Sequence, residues 1–335
     1  MAETTFVTGG SGFIGGRLIE RFTAEGNAVR ALARSDASAD KVRALGAEPV
    51  RGHLDDTDSM RAGAEGCQLA FHAAAALGEW GRREDFERGN VTGTENTLAA
   101  CRAAGVRRFV HVGTEAALLV GQPLVGVDET APLRPDSRAL YSSTKARAER
   151  IVLDAAREGF DTVVLRPRLV WGAGDTTIMP GLVDAVRRGR FSWIGGGRHL
   201  TSTTHVDNVV EGLVLAARKG GAGRAYFVTD GEPVVFRDFV TDLLATQGVT
   251  VPDRNAPPWL VRGLAAGGEA LWRALPLPGP PPVTRLALWL ASLETTIDIT
   301  RARDELGYAP VRSIPDGMEE LRGVRRRTAA GSAPA

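Results

Sequence analysis

Short apolar runs alternate with longer helix-like stretches over the first half of this chain. From Thr4 to about Leu165, β-branched or apolar segments of a few residues are each followed by a longer stretch with helical spacing. This alternation predicts repeated βα units, and therefore an α/β fold built on a Rossmann-like, doubly wound parallel sheet. The predicted strands lie near Thr5–Thr8, Ala28–Ala33, Glu48–Arg51, Leu69–His72, Arg108–Gly113 and Thr162–Arg166.

The pattern becomes less regular after Trp171. Glycine- and proline-rich segments at 195–197, 257–258 and 276–282 separate shorter elements, which predicts a smaller C-terminal substrate-binding lobe. A chain of 335 residues exceeds the usual size of a single core. We therefore expect one domain over 1–170, to which about 200–230 return, and the second lobe mainly over 171–325. Residues 326–335, which hold little apolar surface, predict a flexible tail.

Composition favours a small-molecule partner. The chain is 43% hydrophobic with a net charge of +1, which gives no electrostatic reason to expect nucleic acid or an anionic membrane surface. Cys67 and Cys101 stand far apart without a Cys/His cluster, so neither a disulfide framework nor a metal site is expected. The N-terminus lacks a signal-peptide pattern, and no apolar stretch reaches a membrane span, so we expect a cytoplasmic protein without stable membrane insertion. Monomer and homodimer both stay open.

A glycine-rich turn follows the first predicted strand. Gly9, Gly12 and Gly15 satisfy Gly-x-x-Gly-x-x-Gly, and Phe13 and Ile14 open the next helix. Glycines at these places permit a tight turn, a close approach of backbone to a pyrophosphate, and close packing of helix on strand. The turn therefore predicts a dinucleotide site and makes residues 1–170 an NAD(P)-binding domain; the alternative is an ordinary glycine turn.

The end of the second strand bears on the choice of dinucleotide. An NAD site usually has an acid there for the ribose hydroxyls, whereas an NADP site has Arg or Lys for the 2′-phosphate. Here Arg34 follows the strand and Lys41 comes soon after. We therefore favour NADP(H). In the alternative, both cations are solvated and Asp36 serves NAD(H).

The third strand leads into a segment that should line the adenine pocket. We expect Leu54 against the base and His53 at its edge. The alternative is that the His53 side chain forms hydrogen bonds only within its own loop, as a lone histidine commonly does.

Tyr141 and Lys145 lie four residues apart at the start of a predicted helix, and therefore on one face. A unit positive charge about 4 Å from a phenol, at an effective dielectric of about 20, contributes on the order of 4 kcal/mol, or about three pKa units. We therefore expect Lys145 to lower the pKa of Tyr141 toward neutrality, as an acid/base residue needs. Both residues are also expected to contact the cofactor, with Lys145 holding the nicotinamide ribose.

Two further polar residues complete the predicted catalytic group. Thr114 ends the fifth strand, where its hydroxyl can hydrogen-bond the substrate oxygen beside Tyr141. Asn90 could hold a water or a backbone group in the proton path, with helix capping as its alternative.

These residues resemble a known family: the chain is similar to the extended short-chain dehydrogenase/reductase superfamily over essentially its whole length. Within it, the chain is similar to the 3β-hydroxysteroid dehydrogenase and 2-alkyl-3-oxoalkanoate reductase branch, and its Arg34/Lys41 pair to dihydroflavonol reductases. The matching segments are 8–15, 71–75, 90–94, the Tyr141/Lys145 pair, 165–172, 205–208, 225–233 and 306–310.

The resemblance implies cofactor contacts and marks two departures. It implies that Ala73, Ala74 and Ala75 pass along the cofactor, and that the segment from Pro167 to Val170 presents backbone to the nicotinamide carboxamide. Where many relatives have Asp, this chain has His53, and their catalytic serine is Thr114 here.

These residues predict an NADP(H)-dependent oxidoreductase that interconverts a ketone and a secondary alcohol on a largely apolar, steroid-like or β-keto compound. The apolar preference rests on stripes at 259–261, 271–272 and 286–293, which are core residues in the alternative reading. One rival is a nucleotide-sugar epimerase or dehydratase with bound NAD, although Leu169 stands where those relatives usually have Asn. The other is a non-catalytic NADP-sensing regulator.

Tryptophans near the predicted cleft are candidates for substrate contacts. Trp80, Trp171 and Trp193 could line it, with packing between the lobes as the alternative.

Overall fold

The computed structural model describes residues 3–275 and 277–331. Over this part of the chain seven parallel strands form one sheet, in the order β3-β2-β1-β4-β5-β7-β12. The chain reverses direction across the sheet between β1 and β4, which is where open α/β sheets bind ligands. The predicted fold class is confirmed. The strands are β1 Thr4–Thr8, β2 Ala28–Ala33, β3 Glu48–Arg51, β4 Leu69–His72, β5 Arg108–Val112, β6 Leu124–Val127, β7 Asp161–Pro167, β8 Val170–Trp171, β9 Trp193–Ile194, β10 Leu200–Thr201, β11 Thr204–His205, β12 Arg224–Val228, β13 Val234–Val235, β14 Asn255–Ala256 and β15 Thr295–Ile297.

The helices cover both faces of the main sheet and build the second lobe. Two apolar clusters, one containing Val110 and Leu213 and the other containing Phe6 and Phe109, pack against the sheet. The helices are α1 Phe13–Ala24, α2 Asp36–Ala44, α3 Thr57–Ala64, α4 Arg83–Phe86, α5 Gly93–Ala103, α6 Leu140–Asp154, α7 Ile178–Arg187, α8 Val206–Lys219, α9 Phe236–Thr246, α10 Pro258–Ala274, α11 Arg285–Ser292 and α12 Ile314–Gly331. A π-helical turn, Glu87–Thr92, joins α4 to α5, and a 3₁₀ turn, Glu115–Leu118, follows β5.

The chain returns to the main sheet after crossing into the second lobe. β12 pairs in parallel with β7, and Tyr226 and Phe227 on it are buried in the core. The second lobe has its own aromatic core, which includes Phe191, Phe236 and Phe239. The main sheet and the second lobe therefore have separate cores.

Residues 326–331, which the sequence assigns to a flexible tail, continue α12. Met318 and Leu321 on this helix are buried in the second-lobe core, and Arg326 donates to Glu319 at 2.6 Å. Buried anchors and an ion pair along one face explain the helix. The rest of the predicted tail, 332–335, lies outside the described residues.

Across the described part of the chain, every helix falls short of the length and apolar character that crossing a bilayer requires.

Candidate functional site

The glycine turn is shaped as a cradle that side chains would fill. Gly9 has a φ of +75°, and a Cβ there would lie 2.5 Å from the backbone nitrogen of Ala74. A Cβ on Gly15 would lie 2.2 Å from the carbonyl oxygen of Gly9. Gly12, which donates to that same oxygen at 3.0 Å, comes directly before α1 and has no side chain to occupy the space in front of its first N–H groups. The backbone therefore fits a pyrophosphate at the start of α1.

The first residues of α1 and the end of β4 border this cradle. Phe13 and Ile14 are half-buried. Phe13 faces Gly174, where an added Cβ would lie 3.7 Å from its ring. Ala73 donates to the Thr8 carbonyl oxygen at 3.1 Å, which extends the contact between β1 and β4.

The cationic pair proposed for the 2′-phosphate lies on the surface beyond β2. Arg34 and Lys41 are exposed, and neither forms an ion pair with any residue described. Ser35 and Ser38 form a capping box that sets the start of α2 directly after Arg34. Asp36, the residue on which NAD use would depend, pairs instead with Arg51 at 3.2 Å.

The two residues expected at the adenine differ in their surroundings. Leu54 is half-buried and lies against Gly93, where an added Cβ would approach its Cδ1 to 2.8 Å. The His53 side chain is 58% exposed, and its Nδ1 accepts a hydrogen bond from the Asp55 backbone at 3.3 Å. His53 is therefore satisfied by its own loop, as its alternative reading allowed.

Asn90 ties the loop after β4 to the helix of Tyr141. Its Oδ1 accepts from the Ala76 backbone N–H at 2.7 Å, and its Nδ2 donates to the Ala76 carbonyl and to Thr144 Oγ1, at 3.2 and 3.0 Å. The residue lies within the π-helical turn and not at a helix start. The capping alternative is therefore wrong, and Asn90 instead holds the backbone of Ala76 against α6.

Thr114 stands at the carboxyl end of β5 with its hydroxyl already engaged. Its Oγ1 donates to Glu115 Oε2 at 2.9 Å and accepts from the Ala116 N–H at 3.2 Å. Glu115 in turn pairs with Arg168 at 2.6 Å, and both side chains are at most 3% exposed. A charged pair therefore lies buried directly behind the Thr114 hydroxyl.

Tyr141 is half-buried in the first turn of α6. Burial raises the pKa of the phenol, the negative charge of Glu115 raises it further, and the Thr114 hydrogen bond opposes them. The expectation that Lys145 lowers this pKa toward neutrality is wrong for this structure. Desolvation and a nearby carboxylate outweigh any effect of the ammonium.

Lys145 points from α6 toward β5. Its Nζ donates to the Val112 carbonyl at 2.7 Å and lies 3.2 Å from His111 Nε2. Burial lowers the pKa of Lys145 to about 8, and the charge of Glu149 acts in the opposite direction. Glu149 is itself held by Arg166 through its Nε at 2.7 Å.

Backbone strain marks the segment expected at the nicotinamide. Pro167 ends β7, and Leu169 two residues later has a φ of +41°, in the left-handed region. The Thr204 hydroxyl accepts a hydrogen bond from the Arg168 N–H at 3.1 Å and donates one to the Arg168 carbonyl at 2.8 Å. Val170, half-buried, then begins β8. Such strain persists only where the surroundings hold the backbone in place.

Two of the three tryptophans do not line a cleft, so those expectations are wrong. Trp171 is 0% exposed, and its Nε1 donates to Asp230 at 2.8 Å. Trp193 is 2% exposed and packs against Phe191. Large aromatic rings gain most where neighbouring side chains cover both faces, and the second lobe supplies that cover. Trp80 is half-buried, and the guanidinium of Arg273 on α10 lies over its ring.

One group of residues in the described chain could bring three ligand atoms within 4.8 Å, namely His205, Asp207 and Glu320. Both carboxylates are already paired, Asp207 with Arg312 at 3.1 Å and Glu320 with Arg17 at 2.9 Å. The cluster is thus charge-balanced by arginine.

Two residues that sequence reasoning missed stand next to ones it found. Glu115 directly follows Thr114, and Arg168 directly follows Pro167. Charges inside otherwise apolar runs were the available signal, because such a charge is buried only with a partner.

Sequence similarity relates this chain to known proteins. Residues 6–257 match the model of the 3-beta hydroxysteroid dehydrogenase/isomerase family. The chain belongs to this family. It is similar to the 4-hydroxy-2-methyl-3-oxo-4-farnesyl-3,4-dihydroquinoline-1-oxide ketoreductase of Stigmatella aurantiaca, at 49% identity over 95% of both chains. It is also similar to the 2-alkyl-3-oxoalkanoate reductase of Stenotrophomonas maltophilia (strain K279a), at 36% identity over 94% of this chain and 97% of the relative.

A solved structure supports the fold of this 3-beta hydroxysteroid dehydrogenase/isomerase family member. The dTDP-glucose 4,6-dehydratase DesIV of Streptomyces venezuelae superposes with a TM-score of 0.74, at 22% identity over 98% of both chains. The predicted resemblance to extended short-chain dehydrogenases/reductases is confirmed. The chain is an NAD(P)-dependent oxidoreductase that interconverts ketones and alcohols.

Proposed function

We propose that this protein is an NADP(H)-dependent ketoreductase with Tyr141 as its proton donor. The observation that carries the proposal is a continuous chain of contacts from the glycine turn to the phenol. Gly9 lies against Ala74, Ala76 is bonded to Asn90, and Asn90 is bonded to the helix of Tyr141. A dinucleotide on the turn would therefore run along this path toward the phenol.

The residues divide the work of reduction between them. When bound, the nicotinamide supplies a hydride to the carbonyl carbon. The Tyr141 phenol donates a hydrogen bond to the carbonyl oxygen and gives up its proton as that oxygen becomes an alkoxide, so the C=O π bond is replaced by one C–H and one O–H bond. Lys145, one helical turn later, stabilises the phenolate left behind with its positive charge. Asn90 holds the loop of Ala76 against α6, the helix that carries Tyr141.

The preference for NADP(H) rests on Arg34 and Lys41. Both cations are exposed and without an ion pair in the described chain, whereas Asp36 is paired with Arg51. A 2′-phosphate would gain charge-assisted hydrogen bonds from them that the ribose hydroxyl of NAD cannot match.

Arg34→Ala should therefore raise the Kd for NADPH about 10- to 100-fold, the worth of one hydrogen bond to a charged group, and leave the Kd for NADH nearly unchanged. Titration by quenching of protein fluorescence measures both values. Arg43→Ala, on the same helix and paired with Asp40 at 2.6 Å, is the matched control and should change neither. An equal loss for the two cofactors would refute the assignment of Arg34.

The substrate class is drawn from the two relatives. Both are named for a ketone next to a carbon that bears an alkyl group, one in a farnesylated ring and the other in a 2-alkyl-3-oxo acid. Trp259 and Leu264 on α10 are 73% and 59% exposed, so the second lobe offers the apolar surface that such a substrate needs. In contrast, Val261 and Leu288 are buried in a small core, which agrees with the alternative that the apolar stripes at 259–261 and 286–293 are core residues. We therefore propose a ketone flanked by an alkylated carbon.

The test is a cofactor and substrate panel on the full chain. We expect NADPH oxidation with cyclic ketones alkylated beside the carbonyl, slower turnover with NADH, and the corresponding alcohol as product by mass spectrometry. Copurified NAD with epimerisation or dehydration of a UDP- or dTDP-sugar would instead support the sugar-enzyme reading. NADPH binding without turnover over the whole panel would support the regulator.

A further inference from the structure

Two buried histidines stack on each other where neighbouring strands of the main sheet face α6. His72 on β4 and His111 on β5 are partners in the strand register, and they are 0% and 1% exposed. Their ring centroids are 5.3 Å apart, with the planes inclined by 29°. Lys145 reaches from α6 to the second ring, where its Nζ lies 3.2 Å from His111 Nε2. The lysine side chain therefore ends against an imidazole inside the protein.

His72 has a partner for each ring nitrogen. The Thr94 hydroxyl donates to the Asn90 carbonyl at 2.6 Å, so its oxygen accepts from His72 Nε2 at 3.0 Å. The other nitrogen, Nδ1, then accepts from the Thr8 hydroxyl at 2.7 Å. A neutral imidazole has one donor and one acceptor, so these two contacts satisfy it completely. His72 is therefore a fixed surface against which His111 stacks.

His111 has a partner for only one of its nitrogens. An ammonium has three hydrogens and no lone pair, so Lys145 donates and His111 Nε2 accepts. The hydrogen of the neutral ring is then on Nδ1, which is buried and has no hydrogen-bond partner among the residues described. A second ammonium hydrogen goes to the Val112 carbonyl at 2.7 Å. One of the three hydrogens of Lys145 remains.

The unpartnered nitrogen argues against a merely structural role for His111. A buried donor without an acceptor destabilises a fold, and leucine or phenylalanine would pack here without one. Burial and the charge of Lys145 hold the pKa of His111 well below its ordinary value, so the ring stays neutral. What the imidazole supplies, and an apolar side chain cannot, is a lone pair for the lysine.

We propose that His111 is a positioning residue, a neutral acceptor that fixes the Lys145 ammonium against β5 and leaves one of its N–H groups for the bound cofactor. This inference rests on the proposed function and deepens it, because it assigns what holds the cation in place. Without the lone pair of His111, the buried ammonium would have one acceptor fewer. The cation would then lose its proton at lower pH, and its remaining N–H groups would be free to turn.

Other titratable groups near the ammonium come from its own helix and from two strands. Glu149 on α6 favours the charged lysine, and Arg166 of β7 holds this carboxylate through Nε at 2.7 Å. His72 on β4 is neutral, since burial and the lysine charge lower its pKa to about 3. Burial raises the pKa of Tyr141, one helical turn before Lys145. His72 and Tyr141 therefore keep their charge states where Lys145 titrates.

The test is an NMR titration of the full chain labelled with carbon-13 at the lysine Cε. The sequence has only three lysines, Lys41, Lys145 and Lys219, and Lys145→Met assigns the signal of interest. His111→Phe, which keeps an aromatic ring in the stack, and His111→Leu both remove the acceptor. In each, Lys145 should titrate about one to two pH units lower, the worth of one hydrogen bond to a charged group.

Two further variants separate the acceptor from the ring. His111→Gln places an amide oxygen near the position of Nε2 and should restore most of the wild-type titration. His199→Phe is the matched control, because His199 also stacks on an aromatic ring, Phe236 at 4.9 Å, and also has a buried ring nitrogen without a partner in the described chain. It should leave Lys145 unchanged.

An unmoved Lys145 titration in both His111→Phe and His111→Leu would overturn the proposal. So would an equal fall in His111→Gln or in His199→Phe, since the first keeps the acceptor and the second leaves His111 intact. Because the NMR titration requires neither cofactor nor turnover, this failure is distinct from failure to reduce a ketone.

Discussion

Tyr141→Phe is expected to lower kcat for ketone reduction by about 10²- to 10⁴-fold, the usual contribution of a positioned general acid. The substitution removes the phenol proton, and the Thr114 hydroxyl, which donates to Glu115, is not placed to replace it. Steady-state kinetics with saturating NADPH measure the loss. The Kd for NADPH should stay within a few-fold, because phenylalanine keeps the aromatic ring and Lys145 is unchanged.

Tyr308→Phe provides the control for this experiment. Tyr308 is another buried tyrosine, and its hydroxyl donates to the Thr229 carbonyl at 2.8 Å. Its loss should cost stability and leave kcat near the wild-type value. Wild-type turnover in Tyr141→Phe, with the protein folded and NADPH bound, would refute Tyr141 as the proton donor.

The second large effect concerns the pair beneath the catalytic helix. Glu149→Ala should lower the free energy of unfolding by about 3–5 kcal/mol, because it leaves a buried guanidinium without a counter-charge. The Arg166 and Glu149 side chains are 3% and 0% exposed, and Arg166 bonds one carboxylate oxygen with two nitrogens, at 2.7 and 2.5 Å. Urea unfolding measures the loss. Glu65→Ala, which removes an exposed pair with Arg61, should cost less than about 1 kcal/mol.

The same carboxylate also affects the pH dependence of the reaction. Burial lowers the pKa of Lys145 to about 8, and Glu149 opposes that fall. The lysine cation is present below this pKa and is lost as the pH rises through it. In Glu149→Gln the loss should therefore begin at lower pH, and kcat/KM should decline at lower pH than in the wild type. Similar losses of stability in Glu149→Ala and Glu65→Ala would contradict this account of the pair.

Much of the fold and part of the site follow from local sequence. The strands of the main sheet appear as apolar runs because a strand buried on both faces needs continuous hydrophobic residues. The turn at Gly9, Gly12 and Gly15 is recognisable because a Cβ at Gly9 or Gly15 would collide with backbone. Tyr141 and Lys145 share one helix, so their common face follows from helical geometry alone.

Other features arise only when distant segments meet. Glu115 and Arg168 stand 53 positions apart and pair only because β5 and β7 are neighbours in the sheet. Trp171 looks like a cleft residue in the sequence, but Asp230 and a separate aromatic core enclose it. Lys145 turns toward β5, where the Val112 carbonyl accepts from it.

Local sequence was enough to specify the sheet, the phosphate-binding turn and the spacing of the phenol and the amine, because backbone geometry relates residues that are close along the chain. The electrostatic setting of Tyr141 could not be specified in this way. That setting depends on how far water is excluded and on which charges lie within a few ångströms, and both result from packing between segments far apart in the sequence.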